Sequence, residues 1–347
     1  MRAPLKATVI GAGVAGLACA TELVARGAEV TVVERAGDLG PSACSWWAGG
    51  MLAPWCEAES AEPAVVRLGG RAADWWEAKA GGVTRRGTLV VAAGRDAGEL
   101  RRFARRTANF EAVDGEAVAA LEPDLAGRFR GGLFFGAEAH LDPRRATRAL
   151  AERLAAAGAV LRFCTDSRHA PAGDVTLDCR GFAARDRIPE LRGVRGEMLV
   201  LRCRDLVLTR TIRLLHPRIP AYVVPRGGEP GGEGLYMVGA TSIESASRGP
   251  VSARSLMELL SAAYALHPAF AEAEVVEIGA DVRPAFPDNL PRAWRDGDTV
   301  FVNGLYRHGF LLAPALAQQA AALAFGEQTS FEMDERNDAD RLERQAL

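Results

Sequence analysis

Apolar and polar positions follow one another along this chain in blocks whose period switches between about 3.6 and two, and the switches locate its elements. The β-branched run from Ala7 to Ile10 stops at a cluster of glycines; apolar residues three and four apart then run from Leu17 to Arg26, and a second short run spans Glu29 to Val33. This predicts strand, helix, strand. Helical spacing returns over Ala61 to Ala80, Asp96 to Thr107, Arg144 to Ala157, Ser252 to Leu266 and Phe310 to Phe325. Strands are predicted at Gly87 to Ala93, Gly131 to Gly136, Val160 to Phe163 and Val175 to Cys179. A strand-rich block follows at Glu197 to Arg202, Ile212 to Leu215, Ala221 to Pro225 and Leu235 to Ala240, with Gly227 to Gly232 as a turn; Glu274 to Arg283 and Thr299 to Asn303 are extended. The order predicts an α/β fold in which a nucleotide-type domain is interrupted by a mostly antiparallel sheet domain.

Composition narrows the picture. The chain has 347 residues, 48% of them hydrophobic, with a net charge of -2, as expected of two globular domains and not of a disordered or polyelectrolyte chain. Of 42 basic residues only Lys6 and Lys79 are lysines. Near-neutral charge argues against a nucleic-acid surface, so the arginine excess reads as coding bias. The six cysteines form no C-x-x-C pair and no zinc spacing, so no metal is expected. No apolar run reaches the length of a membrane span and no signal peptide is recognisable, so the expectation is a cytoplasmic protein away from membranes. Beyond Gly326 the chain is an acidic tail with few large apolar residues, expected to be frayed or loosely helical.

The chemistry begins at Gly11, Gly13 and Gly16. Glycines at these three places allow a tight turn out of the strand, close approach of a pyrophosphate to backbone N–H groups, and contact between helix and sheet. Val14 and Ala15 then start a helix whose positive end favours phosphate, and Glu34, ending the second strand, suits ribose hydroxyls. A dinucleotide is expected; this unit alone leaves NAD and FAD open. Two further stretches bear on the choice. Cys44 and Ser45 lead through two tryptophans into Ala48, Gly49, Gly50, Met51 and Leu52, a stretch whose small residues could let the chain pass close to a flat ring. Gly304, Leu305, Tyr306, Arg307, His308, Gly309, Phe310 and Leu311 place a second helix N-terminus where it could stabilise negative charge on a reduced flavin.

Together with Glu34-Arg35, Tyr222 to Arg226, Val238 to Thr241 and Arg283-Pro284, these stretches make the chain resemble the D-amino-acid oxidase family of flavoproteins, and within it the glycine oxidases of thiamine biosynthesis, from about residue 7 to 325. The resemblance implies a discontinuous Rossmann-like FAD-binding domain over residues 1–80, 137–192 and 272–326, a substrate domain over 81–136 and 193–271, and a charged tail over 327–347. It implies FAD as redox group, with Arg35 beside the ribose and Ser167 near the adenine. It also assigns Arg283 to the substrate carboxylate, Tyr222 to a second bond on it, and Arg307 to the pocket mouth, with Met51 and Ser242 lining the substrate. Each has a plainer alternative: a sheet-edge ion pair for Arg283, a core position for Tyr222, a backbone or flavin contact for Arg307. His308 reads as a flavin-loop residue and not as a general base. Ser242 stands where the glycine oxidase pattern has methionine, and no cysteine follows Cys203, which implies non-covalent FAD.

The activity implied is oxidation of glycine or a similar small amino acid, by hydride transfer from the neutral amine, to the imine and oxo acid with ammonia; dioxygen as partner would yield hydrogen peroxide. None of these motifs holds a pair of carboxylates or a Ser/His/Asp set, and the resemblance requires none. Alternatives are a D-amino-acid or N-methyl-amino-acid dehydrogenase using another acceptor, and a flavin-binding subunit of a hetero-complex. A homo-oligomer is a further expectation of the family.

Overall fold

The computed structural model describes residues 3–217, 220–227 and 233–328. Of the turn expected at Gly227 to Gly232 only Gly227 is among them, and the acidic tail lies outside them from residue 329 onward. Two sheets organise the rest. Lys6–Ile10, Glu29–Val33, Val160–Arg162, Val175–Asp178 and Thr299–Asn303 form five parallel strands with Lys6–Ile10 in the middle, and Arg292–Asp296 adds an antiparallel edge to Thr299–Asn303. Three separated stretches of chain thus build one parallel sheet.

The helices Val14–Ala25 and Gly309–Ala324 pack against each other beside this sheet. Both are apolar almost all round, Leu17, Ala18, Leu23, Leu312, Leu316 and Ala320 being fully buried, which is the pattern of helices enclosed on every side. Pro314 sits inside the second of them. It has no N–H for the carbonyl of Phe310 four residues back, and that carbonyl instead accepts a 2.7 Å hydrogen bond from the indole of Trp76.

The second sheet has nine strands. Ile243–Glu244, Arg192–Arg202, Leu235–Gly239, Ala221–Pro225, Thr211–Leu215, Thr88–Ala92, Gly131–Phe135 and Glu111–Asp114 follow in that spatial order, and Glu274–Ala285 pairs with Arg192–Arg202. It is antiparallel as the sequence suggests except at one seam, where Thr88–Ala92 and Thr211–Leu215 run parallel. Those strands come from distant parts of the chain, so no hairpin dictates their direction.

Three local expectations are corrected. The single helix expected over Ala61 to Ala80 is two, Pro63–Gly69 and Ala72–Lys79. The break falls where Gly69 meets Leu311, whose side chain would lie 2.7 Å from a Cβ at residue 69. Glu111–Asp114 with helix Gly115–Leu121, and Arg292–Asp296, are elements that periodicity did not reveal, being short and largely exposed or half-buried. Among the described residues no helix is long and apolar enough to cross a membrane.

Candidate active site

A cavity of about 520 Å³ opens between the carboxyl ends of the parallel strands and one face of the larger sheet. At its first end, Gly11 turns with φ +101° against the carbonyl of Cys179, which would lie 2.7 Å from a Cβ on residue 11. Gly16 does not line the cavity; its Cα presses on the Gly11 carbonyl, so the third glycine serves helix-to-strand contact. Gly13, Val14 and Ala15 do line it. The Val14 N–H donates to Ser45 Oγ at 3.3 Å, and Gly13 has open space in front of it apart from that hydroxyl. Glu34 is fixed from both sides: Ala12 N–H donates to Oε2 at 2.9 Å and Ala36 N–H to Oε1 at 3.0 Å. Each oxygen keeps lone pairs for further donors. Arg35, Cys44, Thr165 and Ser167 complete this end. Burial beside Asp281 pushes the Cys44 thiol up to about 12, so it is a neutral lining group.

The middle of the cavity is floored by Ala48, Gly49, Gly50 and Met51. Arg226 holds this segment by donating to the Ala48 carbonyl at 2.7 Å, and Gly49 lies under the ring of Tyr222, too close at 2.9 Å to carry a side chain. Leu52 is buried in the core instead, on the short strand that pairs with Ala139–His140. Opposite, Leu305, Tyr306, Arg307, His308, Gly309, Phe310 and Leu311 line the cavity at the start of the last helix. Gly304 does not: with φ +81° it supports the turn, where Phe286 leaves no room for a side chain.

At the far end Arg283 enters from the strand Glu274–Ala285. Its guanidinium crosses Gly196 on the neighbouring strand, where any Cβ would overlap it, and Nη1 donates to the Thr241 carbonyl at 3.1 Å. Among the described residues no carboxylate pairs with Arg283, unlike Arg213, Arg248 and Arg307. Tyr222 stands beside it, with burial raising its hydroxyl's pKa. Ser242 is exposed at the rim, its hydroxyl 3.5 Å from that of Tyr306.

The sequence reading missed Glu57. From the short helix Pro54–Glu57 it reaches the cavity and meets Arg307 at 2.9 Å, Arg213 at 3.3 Å and His308 Nδ1 at 3.5 Å. Burial alone would raise its pKa, but Arg307, His308 and Arg213 outweigh that and hold it at about 2. Burial, against the pull of Glu57, lowers His308 to about 4, so its imidazole is neutral at physiological pH. Arg307 therefore lines the cavity with its charge already matched by Glu57. Arg213 had a signal in the sequence: a charge inside the apolar run Ile212 to Leu215. Glu57 had a weaker one, an acid just after the small-residue stretch. Asp281, buried and paired with Arg248 at 3.1 Å, was also missed. One Asp178 carboxylate oxygen accepts from Arg180 at 2.8 Å, closing the wall near the first strand ends.

The residues fit FAD. Two helix N-termini, a ribose-suited carboxylate and an unbranched glycine floor share one cavity, and the crowding at Gly49 keeps that floor flat. The family model for FAD-dependent oxidoreductases (DAO) matches residues 6–323. A Rhizobium etli protein named as a thiamine biosynthesis oxidoreductase, ThiO, is 58% identical over 93% of this chain and 98% of its own length. The glycine oxidase of Geobacillus kaustophilus is 27% identical, covering 94% of each chain. The crystal structure of a glycine oxidase from the same species superposes with a TM-score of 0.78 at 24% identity over 95% of this chain and 97% of that one, a likeness in fold.

Proposed function

This chain belongs to the family of FAD-dependent oxidoreductases, and from that premise we propose that it oxidises glycine or a similarly small amino acid as part of thiamine thiazole formation. The reaction is glycine, dioxygen and water giving glyoxylate, ammonia and hydrogen peroxide. The observation that carries the reading is Arg283: a guanidinium facing the cavity, with no carboxylate partner among the described residues, beside Tyr222. Such a group grips a substrate carboxylate bidentately and sets which face of the Cα meets the ring.

FAD, when bound without a covalent link, supplies the two-electron acceptor for hydride leaving the substrate Cα. The protein's share is placement. Gly13, Val14, Ala15 and Ser45 would hold the pyrophosphate, Glu34 and Arg35 the ribose, Ser167 the adenine side, and Ala48 to Met51 with Leu305 to Leu311 the ring. Tyr222 stays protonated and donates to the carboxylate on Arg283. Among the described residues at this end of the cavity, the carboxylates of Glu57 and Asp281 are engaged by arginines and His308 Nδ1 faces Glu57, so none of them is assigned to abstract a Cα proton. Catalysis then rests on orientation and exclusion of water.

A second reading, N-methyl or side-chain-bearing amino acids, is favoured by Ser242, which leaves the rim open. Purified protein should be yellow and release peroxide with glycine more efficiently than with sarcosine or D-alanine. Flavin-loaded protein that reduces its flavin with none of the three would overturn the reading. Flavin reduction without peroxide, accelerated by an artificial acceptor, would reassign the acceptor.

A further inference from the structure

We propose that Glu57 and Arg213 tune the protonation of the substrate amine: Arg213 adds to a net positive field that favours the neutral, hydride-donating amine, and Glu57 limits that field. The inference rests on the proposed amine oxidation. Its ground is an imbalance of charge around one end of the cavity.

The strand Thr211–Leu215 contributes Arg213, cross-strand neighbour of Tyr222 on Ala221–Pro225, so the two side chains stand together on the face that lines the cavity. The strand Glu274–Ala285 contributes Arg283 and Asp281, and the segment before residue 250 contributes Arg248, which pairs with Asp281. The turn into the last helix contributes Arg307 and the neutral His308; the short helix opposite contributes Glu57. With Arg248 and Asp281 set aside as a pair and Tyr222 uncharged, three guanidiniums face a single carboxylate. Glu59, paired with Arg106 at 3.4 Å, and Glu138, behind Cys56, act on Arg213 from outside the cavity, and the Arg226–Asp142 pair does not line it either.

A substrate carboxylate on Arg283 cancels one of the three positive charges. One positive charge remains uncompensated beside the amine. An ammonium is disfavoured there, while the neutral amine is indifferent to the field. Glu57 is shared by Arg213 and Arg307, with its Oε2 buried 2.9 Å from Arg307 Nη2. If Arg213 were merely an anchor for Glu57, removing either partner would disturb the site in the same sense. A field effect instead requires opposite senses. Arg213 and Glu57 are in this reading positioning residues of an electrostatic kind, with no bond to the substrate needed.

The test is the pH dependence of the limiting rate of flavin reduction by saturating glycine without oxygen, which reports ionisation in the bound complex. Arg213→Met should move the midpoint up, Glu57→Gln should move it down, each on the order of 0.5 to 1 pH unit as expected for a unit charge some way off in a partly hydrated site. Arg213→Lys, which keeps the charge, should stay at the wild-type midpoint. A second measurement needs no turnover: calorimetric affinity for betaine, permanently cationic at nitrogen, relative to acetate. That ratio should rise several-fold in Arg213→Met and fall in Glu57→Gln. Shifts in the same direction, or none in either measurement, would overturn the inference. A wild-type protein whose flavin glycine does not reduce would instead fail the underlying reading, while the betaine-to-acetate ratio would still judge the field. Should Arg213→Met not fold, the opposing pair becomes Glu57→Gln against wild type and Arg213→Lys, with a downward shift required.

Discussion

The two ends of the cavity hold charge by different means. At the end near the first strand, backbone N–H groups of Val14 and its neighbours stand beside the Arg35 side chain, and the acid there, Glu34, is itself fixed by two backbone N–H groups. At the substrate end the work falls to side chains, Arg213, Arg283 and Arg307 with Glu57, drawn from four separated segments. A site built from backbone tolerates any side chain that preserves the chain path. A site built from side chains depends on topology to bring them together.

The sharpest separation of the two ends is Arg283→Ala. Removing a desolvated partner of the substrate carboxylate should cost about 3 to 5 kcal/mol in kcat/KM, two to three orders of magnitude or more, while Tm and flavin content stay near wild type, because its one recorded hydrogen bond is to the Thr241 carbonyl. Steady-state kinetics beside a thermal melt checks this, and a loss of flavin would show that Arg283 supports the cofactor end as well. Gly16→Ala should do the converse. Its new methyl meets the Gly11 carbonyl, so stability should fall by about 1 to 3 kcal/mol and flavin should be lost on gel filtration.

That contrast also explains what the sequence revealed. Gly11 and Gly16 are legible because their need is local: a turn at positive φ and a close helix-to-strand contact, set within a few residues of each other. Arg283 and Tyr222 were named through resemblance, whereas Arg213 showed only as a charge in an apolar run and Glu57 as an acid after a small-residue stretch, and nothing joined them, since their ion pair links residues 156 positions apart. No spacing rule reaches that far. The helix break at Gly69 escaped for the same reason, its cause being Leu311 on another element. Arg307, named for the pocket mouth, lines the cavity, but its pairing with Glu57 could not be read from the motif.

Acidity gives a third comparison, between Glu57 in the cavity and Glu138 behind it. Glu57 is held at about 2, below its usual value, so its contribution to stability is present above pH 4.5 and is lost as pH falls toward 2. Glu138, raised by burial to about 7, has the opposite sign: its contribution is full below pH 4.5 and is lost as pH rises through 7. Glu138→Gln should therefore remove, on the order of 2 kcal/mol, the fall in stability between pH 5 and 8, and denaturant unfolding across pH would detect it. The smallest effect belongs to the rim. Ser242→Ala loses only a marginal 3.5 Å contact at an exposed position, so stability should change by less than about 0.5 kcal/mol and the KM for glycine by about twofold at most.

Trp76 has an optical consequence. Its indole is buried, tilted 33° against the Phe310 ring at 5.2 Å between ring centres, and hydrogen-bonded to the carbonyl that Pro314 leaves open. Emission from this tryptophan is therefore tied to the docking of the last helix, whose opening residues line the ring end of the cavity. Of the six tryptophans, Trp76 is placed to report that docking, read in a chain whose other five are replaced by phenylalanine.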